Sequence, residues 1–241
     1  MKKIFLLLVC IFLSIGCAEQ KEKPKPWTAI AREVIKSVVL IHGYNKENQA
    51  IGGSGFVIAS NGYILTNNHV IEGMDSSLGK PIVSVEFNDN TKFLVQDFWS
   101  NKLYDLAVLK INTNNLSPLS FEEQRNPQIG EEVMLFGSVG SVLPFAVQGI
   151  VARSELLLAE EVYRKKNLKS NFIQFSMVIN HGFSGGPIVN KFGKVMAISQ
   201  GSSSTVYSVG VGISSKDAIK VLPSLFNKII EIDSKTSRRT K

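Results

Sequence analysis

The chain has 241 residues, 44% of them hydrophobic, and a formal net charge of +7, which is enough apolar material for a sizeable core and too much for a disordered chain. Residues 27 to 234 hold 18 Lys plus Arg against 18 Asp plus Glu. The basic excess therefore lies at the two ends, which argues against a nucleic-acid-binding domain.

MKKIFLLLVCIFLSIGC, at the amino terminus, has two lysines, an apolar run from Ile4 to Ile15, a small residue and a cysteine. This is the layout of a secretory signal, and the run is short for a membrane span. Its ending, LSIGC, resembles the lipobox of bacterial lipoproteins, which implies a signal peptide over 1–16 and lipidation of Cys17. Ser14 stands where that motif most often has leucine, so plain secretory cleavage is the alternative. Cleavage removes Lys2, Lys3 and Cys10, so the charge falls from +7 to +5 and one cysteine of two remains. An intramolecular disulfide is then excluded, and an anchor is the better use of a single cysteine. EQKEKPKP, at 19 to 26, is charged and proline-bearing, so 17–26 reads as a tether to the outer side of a bacterial membrane, periplasmic or extracellular.

The folded part is expected over 27–232. A short helical pattern from Thr28 passes into a β-rich run at Ser37 to Tyr44. FVIA and YILT flank Ser60, Asn61 and Gly62, a strong hairpin signal. Further strands are expected at Ile82 to Phe87, Lys92 to Phe98 and Leu106 to Ile111, then a polar connector from Asn112 to Pro127. A second set follows in EEVMLFGS, FAVQGIVAR, NFIQFSMVI, GPIVN, KVMAIS and YSVGVGIS, with a turn at Asn190 to Gly193. Residues 156 to 170 read as a long charged surface loop, about 215–231 as a terminal helix that Pro223 bends, and 233–241 as a basic tail. Six strands, a connector, six strands and a helix predict an all-β fold of two packed barrels, about 35–115 and about 128–213.

NHGFSGGP, at 180 to 187, sets Ser184 among three glycines. It suits either a glycine-rich turn between strands or a nucleophile loop whose backbone N–H groups converge on a carbonyl oxygen. A nucleophile needs a base, and the histidines are only His42, His69 and His181. His69 ends the hairpin strand in LTNNHV, and Asp105 in KLYDLAVLK opens an apolar strand, where a carboxylate is costly unless hydrogen-bonded. Isolated residues of these types are more often structural; their joint context is what favours chemistry.

GGSGFVIASNGYILTNNHV, DLAVLK, NFIQ and HGFSGGPIVN, in that order, resemble the HtrA (DegP) family of trypsin-like serine peptidases. The resemblance runs from about Ile35 to VGVGISSKDAIKVLPSL and covers the protease domain alone, without a PDZ domain. It implies a trypsin-like double β-barrel with a cleft between barrels and a catalytic triad of His69, Asp105 and Ser184. The N–H groups of Gly182 and Ser184 would form the oxyanion hole, worth about 3 to 4 kcal/mol per donor. By the same resemblance Met177, Val178 and Ile179 line the specificity pocket, Ser199, Gln200 and Gly201 pair with the substrate strand, and Val209 and Val211 close the pocket. An apolar pocket of this kind favours small to medium aliphatic side chains.

The family usually has Asn-Pro-Gly-Asn before the serine, whereas this chain has Asn180, His181, Gly182 and Phe183. Phe183 is expected to alter the order of the loop at rest, and His181 to be a loop residue. The resemblance also implicates the 156 to 170 segment in switching that loop between ordered and disordered states, and Trp27 to Ile35 in a homotrimer. The expected activity is cleavage of unfolded or envelope proteins, a protein quality control role. The rival is a catalytically silent, chaperone-like binding lipoprotein on the same fold. No metal, cofactor or nucleic acid is expected: the sequence has no metal-ligand spacing, its folded part is charge-balanced, and GGSG at 52 to 55 precedes a strand rather than the helix of a nucleotide loop.

Overall fold

The computed structural model describes residues 23–74, 83–139, 142–156, 168–202 and 209–223. The predicted signal peptide, Cys17, most of the 156 to 170 loop, the end of the terminal helix and the basic tail lie outside the described residues.

Helix α1 (Trp27–Val34) and a 3-10 turn (Ile35–Ser37) lead into the first barrel. Ile30 and Val34 lie one helical turn apart and are buried, as the i, i+4 spacing dictates. The barrel is built from β1 (Val38–Tyr44), β2 (Ala50–Ala59), β3 (Tyr63–Thr66), β4 (Val83–Phe87), β5 (Lys92–Asn101) and β6 (Leu106–Ile111). They close in the order β1-β2-β3-β6-β5-β4. The second barrel comprises β7 (Glu132–Val139), β8 (Val142–Leu156), β9 (Phe172–Ser176), β10 (Pro187–Val189), β11 (Val195–Ser202) and β12 (Val209–Ser214). It closes in the order β10-β11-β12-β9-β8-β7. The expected pair of six-stranded barrels is therefore present, followed by α3, helical over 215–223.

Alternation along the strands divides the core into three. Val39, Ile41, Val57, Ile64, Val85 and Leu109 fill the first barrel, and Leu135, Val151, Phe175, Ile188 and Ala197 fill the second. The residues between them on the same strands face outward, and Phe56, Leu65 and Val108 meet Phe136, Val195 and Ile198 in a third cluster. α1 adds Ile30 and Val34 to that cluster, and α3 adds Ala218, Val221 and Leu222.

Residues 112–127 are the connector the sequence predicts, and they are fastened to both halves. The Leu119 N–H donates to the Val57 carbonyl at 3.0 Å, and the Glu122 N–H to that of Val195 at 2.8 Å. Arg125 grips Glu131 with two bonds of 2.6 and 2.8 Å and Glu122 at 3.2 Å; the Glu131 bond, then Glu122, holds the guanidinium above its ordinary pKa.

Two elements differ from expectation. β2 starts at Ala50 rather than Phe56, so its glycines lie inside the strand and pair with β1, Gly52 with His42 and Gly55 with Val39. His69 does not end a strand: β3 stops at Thr66 and His69 lies in a one-turn helix, α2 (Asn68–Glu72).

Candidate active site

Asp105 is the residue around which the corner between β3 and β6 is built. Its φ of +50° is a left-handed conformation that few non-glycine residues adopt, Asp among them. Two donors hold its carbonyl oxygen: the Asn68 N–H at 3.1 Å and the Asn67 side-chain amide at 3.1 Å. The carboxylate is 5% exposed, and both oxygens are used. Oδ1 accepts from the His69 backbone N–H at 2.9 Å, and Oδ2 lies 2.7 Å from His69 Nδ1. The main-chain bond fixes the start of α2, and the side-chain bond fixes the imidazole plane. His69 Nε2 is left for a partner on the exposed side, where the side chain is 36% accessible.

The loop carrying Ser184 is packed against this corner without room for side chains. A Cβ on Gly185, whose φ is +85°, would fall 2.2 Å from the Ser54 carbonyl oxygen, 2.3 Å from Thr66 Oγ1 and 3.2 Å from the Asn67 nitrogen. A Cβ on Gly53 would meet the Ser184 carbonyl oxygen at 2.8 Å and Val70 at 2.9 Å. The chain on either side of His69 thus lies directly beside the chain on either side of Ser184.

Ser54, on β2, is the clasp. Its backbone N–H donates to the Ser184 carbonyl at 2.8 Å, and its hydroxyl donates to the Gly182 carbonyl at 2.6 Å. The same hydroxyl accepts from the Ser138 N–H at 2.8 Å, while the Ser54 carbonyl accepts from Thr66 Oγ1 at 2.7 Å. One buried serine of the first barrel therefore holds two carbonyls of the second barrel's loop. Gly182 has φ +104°, and a Cβ there would fall 2.5 Å from the Ser138 carbonyl oxygen. With its carbonyl turned to Ser54, the Gly182 N–H has no partner among the described residues, and nor has that of Ser184.

The Ser184 hydroxyl donates to the Gln200 carbonyl oxygen at 3.2 Å; among the described residues no hydrogen bond joins it to His69. Phe183 is 1% exposed and packs in the second barrel with Leu135 and Ile188. Its ring anchors the loop into the core, where the sequence suggested a disturbance of loop order. His181 is exposed and lines a cleft of about 370 Å³ with Leu40, His42, Tyr44, Gly52 and Gly182.

The predicted pocket residues are placed unevenly. Ile179 is 4% exposed and covers Gly210, whose Cβ would meet Ile179 Cδ1 at 2.4 Å and Met177 Cγ at 3.3 Å. Val178 points away and is 50% exposed. Val209 is half-buried and paired with Ser176. Strand alternation turns Val211 to the opposite side from Gly210, into the cluster with Ile198, Ile213 and Ala218. Ser199 is buried, its carbonyl accepting from the Gly185 N–H at 2.8 Å, and Gly201, at a bulge, has φ +149°. The Ser199 hydroxyl and Gln200 Oε1 are buried without a partner among the described residues. Sequence reasoning missed the roles of Ser54, Ser138 and Thr66; the signal available was a hydroxyl inside the glycine run GGSG.

Residues 53–198 match the family model described as "Trypsin-like peptidase domain". The serine endoprotease DegS of Escherichia coli (strain K12) is 30% identical over 218 residues, covering 85% of this chain and 58% of that protein. A "Probable periplasmic serine endoprotease DegP-like" of Halomonas elongata is 33% identical over 156 residues, 65% of this chain and 30% of that one. The chain thus spans about a third to three fifths of the length of these curated relatives, 30% and 58%. Among solved structures, the serine endoprotease from Yersinia pestis matches with a TM-score of 0.68 and 29% identity, over 86% of this chain and 68% of that one. The HtrA-type protease AlgW, solved with a tripeptide, matches with a TM-score of 0.72 and 25% identity, over 83% and 63%.

Proposed function

The chain belongs to the trypsin-like peptidases, with relatives of the HtrA type, and on that premise we propose that it is a serine endopeptidase acting through Ser184, His69 and Asp105. The observation that carries the reading is the seating of the Gly182 to Gly186 loop against the Asn67–His69–Asp105 corner, with the N–H groups of Gly182 and Ser184 left without a partner among the described residues.

The chemistry follows from these groups. Ser184 rotates from the Gln200 carbonyl to His69 Nε2, and its oxygen attacks the peptide carbonyl carbon as His69 takes the proton. Asp105 holds Nδ1–H and stabilises the imidazolium. The carbonyl oxygen becomes an oxyanion and accepts from the N–H groups of Gly182 and Ser184, the role preorganised backbone donors serve in acyl transfer. The C–N bond then breaks, His69 gives its proton to the departing amine, and an acyl-Ser184 ester remains. Water repeats the sequence with His69 as base, releasing the new carboxylate.

Buried Ile179 and Met177 pack over Gly210, and these apolar side chains, with no carboxylate beside them in the sequence, support cleavage after small to medium aliphatic residues. Such residues are buried in folded proteins, so the substrates are unfolded or partly unfolded chains. We place the enzyme in the bacterial cell envelope, tethered by a lipid on Cys17. The amino-terminal sequence supports this, as does the periplasmic name of the Halomonas relative.

The test is incubation of the full chain and its Ser184→Ala variant with a panel of unfolded proteins, with the new termini read by mass spectrometry. Cleavage by the wild type alone, after Val, Ala, Leu or Ile, is the expected result. Intact substrates that nonetheless co-purify with the wild type would replace the peptidase with the silent binding protein.

A further inference from the structure

The chain enters its fold at the edge of a basic cleft. The Lys25 N–H donates to the Lys191 carbonyl oxygen at 2.8 Å, fastening the incoming segment to the β10–β11 turn. Lys25, Lys36 and Lys194 line a cleft of about 370 Å³, with Ser117 and Ser120 on the connector and Phe192 on the turn. Glu33 is the one carboxylate among the lining residues and is paired with Lys25 at 3.0 Å. Three lysines thus stand against one glutamate in the lining of the cleft. Lys191, alongside, lies 4.7 Å from the Trp27 ring centre and 3.2 Å from Glu132. The excess is local, since residues 27 to 234 as a whole balance at 18 against 18.

We infer that this face binds the anionic headgroups of a phospholipid bilayer, with a lipid phosphate seated among Lys25, Lys36 and Lys194. The inference rests on the tether proposed above. Eight residue steps separate Cys17 from Lys25 and reach at most about 28 Å when fully extended, so the cleft cannot lie far from the membrane. Within a screening length of roughly 10 Å, an anionic leaflet attracts lysines strongly enough to orient what carries them. Orientation is the consequence for function. β1 runs from Val38, beside Lys36, to Tyr44, which lines the cleft that holds His181 and Gly182. Seven residues at about 3.3 Å each put the cleft beside the Ser184 loop on the order of 20 Å from the docked face.

The test is lysine footprinting of the full chain with an acetylating reagent. It uses vesicles of phosphatidylcholine alone and vesicles of phosphatidylcholine and phosphatidylglycerol in equal parts, with flotation measured in parallel. The expected result is flotation with both, and acetylation of Lys25, Lys36 and Lys194 reduced roughly fivefold only where phosphatidylglycerol is present. That is the factor corresponding to about 1 kcal/mol per lysine at an anionic surface. High salt should abolish the protection, and Lys46 and Lys102, on turns at the ends of β1 and β5, should be unaffected. In the Lys36→Gln, Lys194→Gln variant the protection of Lys25 should vanish while flotation persists. Flotation with both vesicles and equal labelling would leave the tether standing and overturn the docking face. Flotation with phosphatidylglycerol alone, with protection, would keep the face and discard the tether; flotation with neither would discard both. Protection without vesicles that grows with protein concentration would assign the face to a second copy of the chain.

Discussion

Asp105 spends both carboxylate oxygens on His69, one on the backbone and one on the ring. Asp105→Asn should therefore leave the corner folded while presenting the wrong hydrogen-bonding partner to Nδ1. A fall in kcat of about ten-thousandfold with little change in KM is expected, measured on a peptide substrate. Ser54 acts at one remove, through the loop it clasps. Ser54→Ala leaves the buried Ser138 N–H and Gly182 carbonyl without their best partner, costing about 1 to 3 kcal/mol of stability. If the hydroxyl positions the oxyanion loop, kcat should also fall by about ten- to a hundredfold while KM changes little. A purely structural role would lower the urea midpoint and leave kcat per folded molecule untouched. In the proposed pocket, Ile179→Ala should uncover the space beside Gly210. Relative kcat/KM for Leu, Met or Phe over Val should then rise by about tenfold or more, since each methylene in such a pocket is worth about 1 to 3 kcal/mol.

Element boundaries were legible where turn residues bound a short apolar run. β1, β3 and β6 open on continuous apolar runs, buried throughout in β3 and nearly so in β1 and β6, and the Asn61-Gly62 turn gives Gly62 a φ of +93°. The start of β2 was hidden because its residues are glycines, poor strand formers that are here because neighbouring backbone leaves no space for a Cβ. α2 was hidden because one helical turn has no periodicity to detect. The facing of β12 was hidden for a related reason: Val211 and Ile213 are buried in the cluster between the barrels, whereas Gly210 and Gly212 lie on the other side of the strand. α1 was legible as a helix, and the structure adds what it does: Ile30 is fully buried between the barrels. Ile30→Ala should lower stability by about 2 to 5 kcal/mol, read from urea unfolding, without altering cleavage where the variant is fully folded.

At the scale of the molecule, the two barrels are held by a third apolar cluster that neither could bury alone, by the connector and by the Ser54 clasp. Such an arrangement predicts one cooperative unfolding transition rather than two. Calorimetric and van't Hoff enthalpies should agree, and two resolved transitions would show that the barrels unfold separately. The double barrel and the identities of the candidate triad could be read from motif order, because catalysis constrains residue types there. The support around them could not, because Ser54 and Ser138 are ordinary strand serines until the barrels are packed.

The central claim, that Ser184 is a nucleophile activated by His69, is tested most directly by labelling the full chain with a fluorophosphonate probe, alongside Ser184→Ala, His69→Ala and His181→Ala. The account predicts one label on Ser184 of the wild type, none in the Ser184 and His69 variants, and retained labelling without His181. A folded wild type that takes no label, or a label that survives Ser184→Ala, would contradict it.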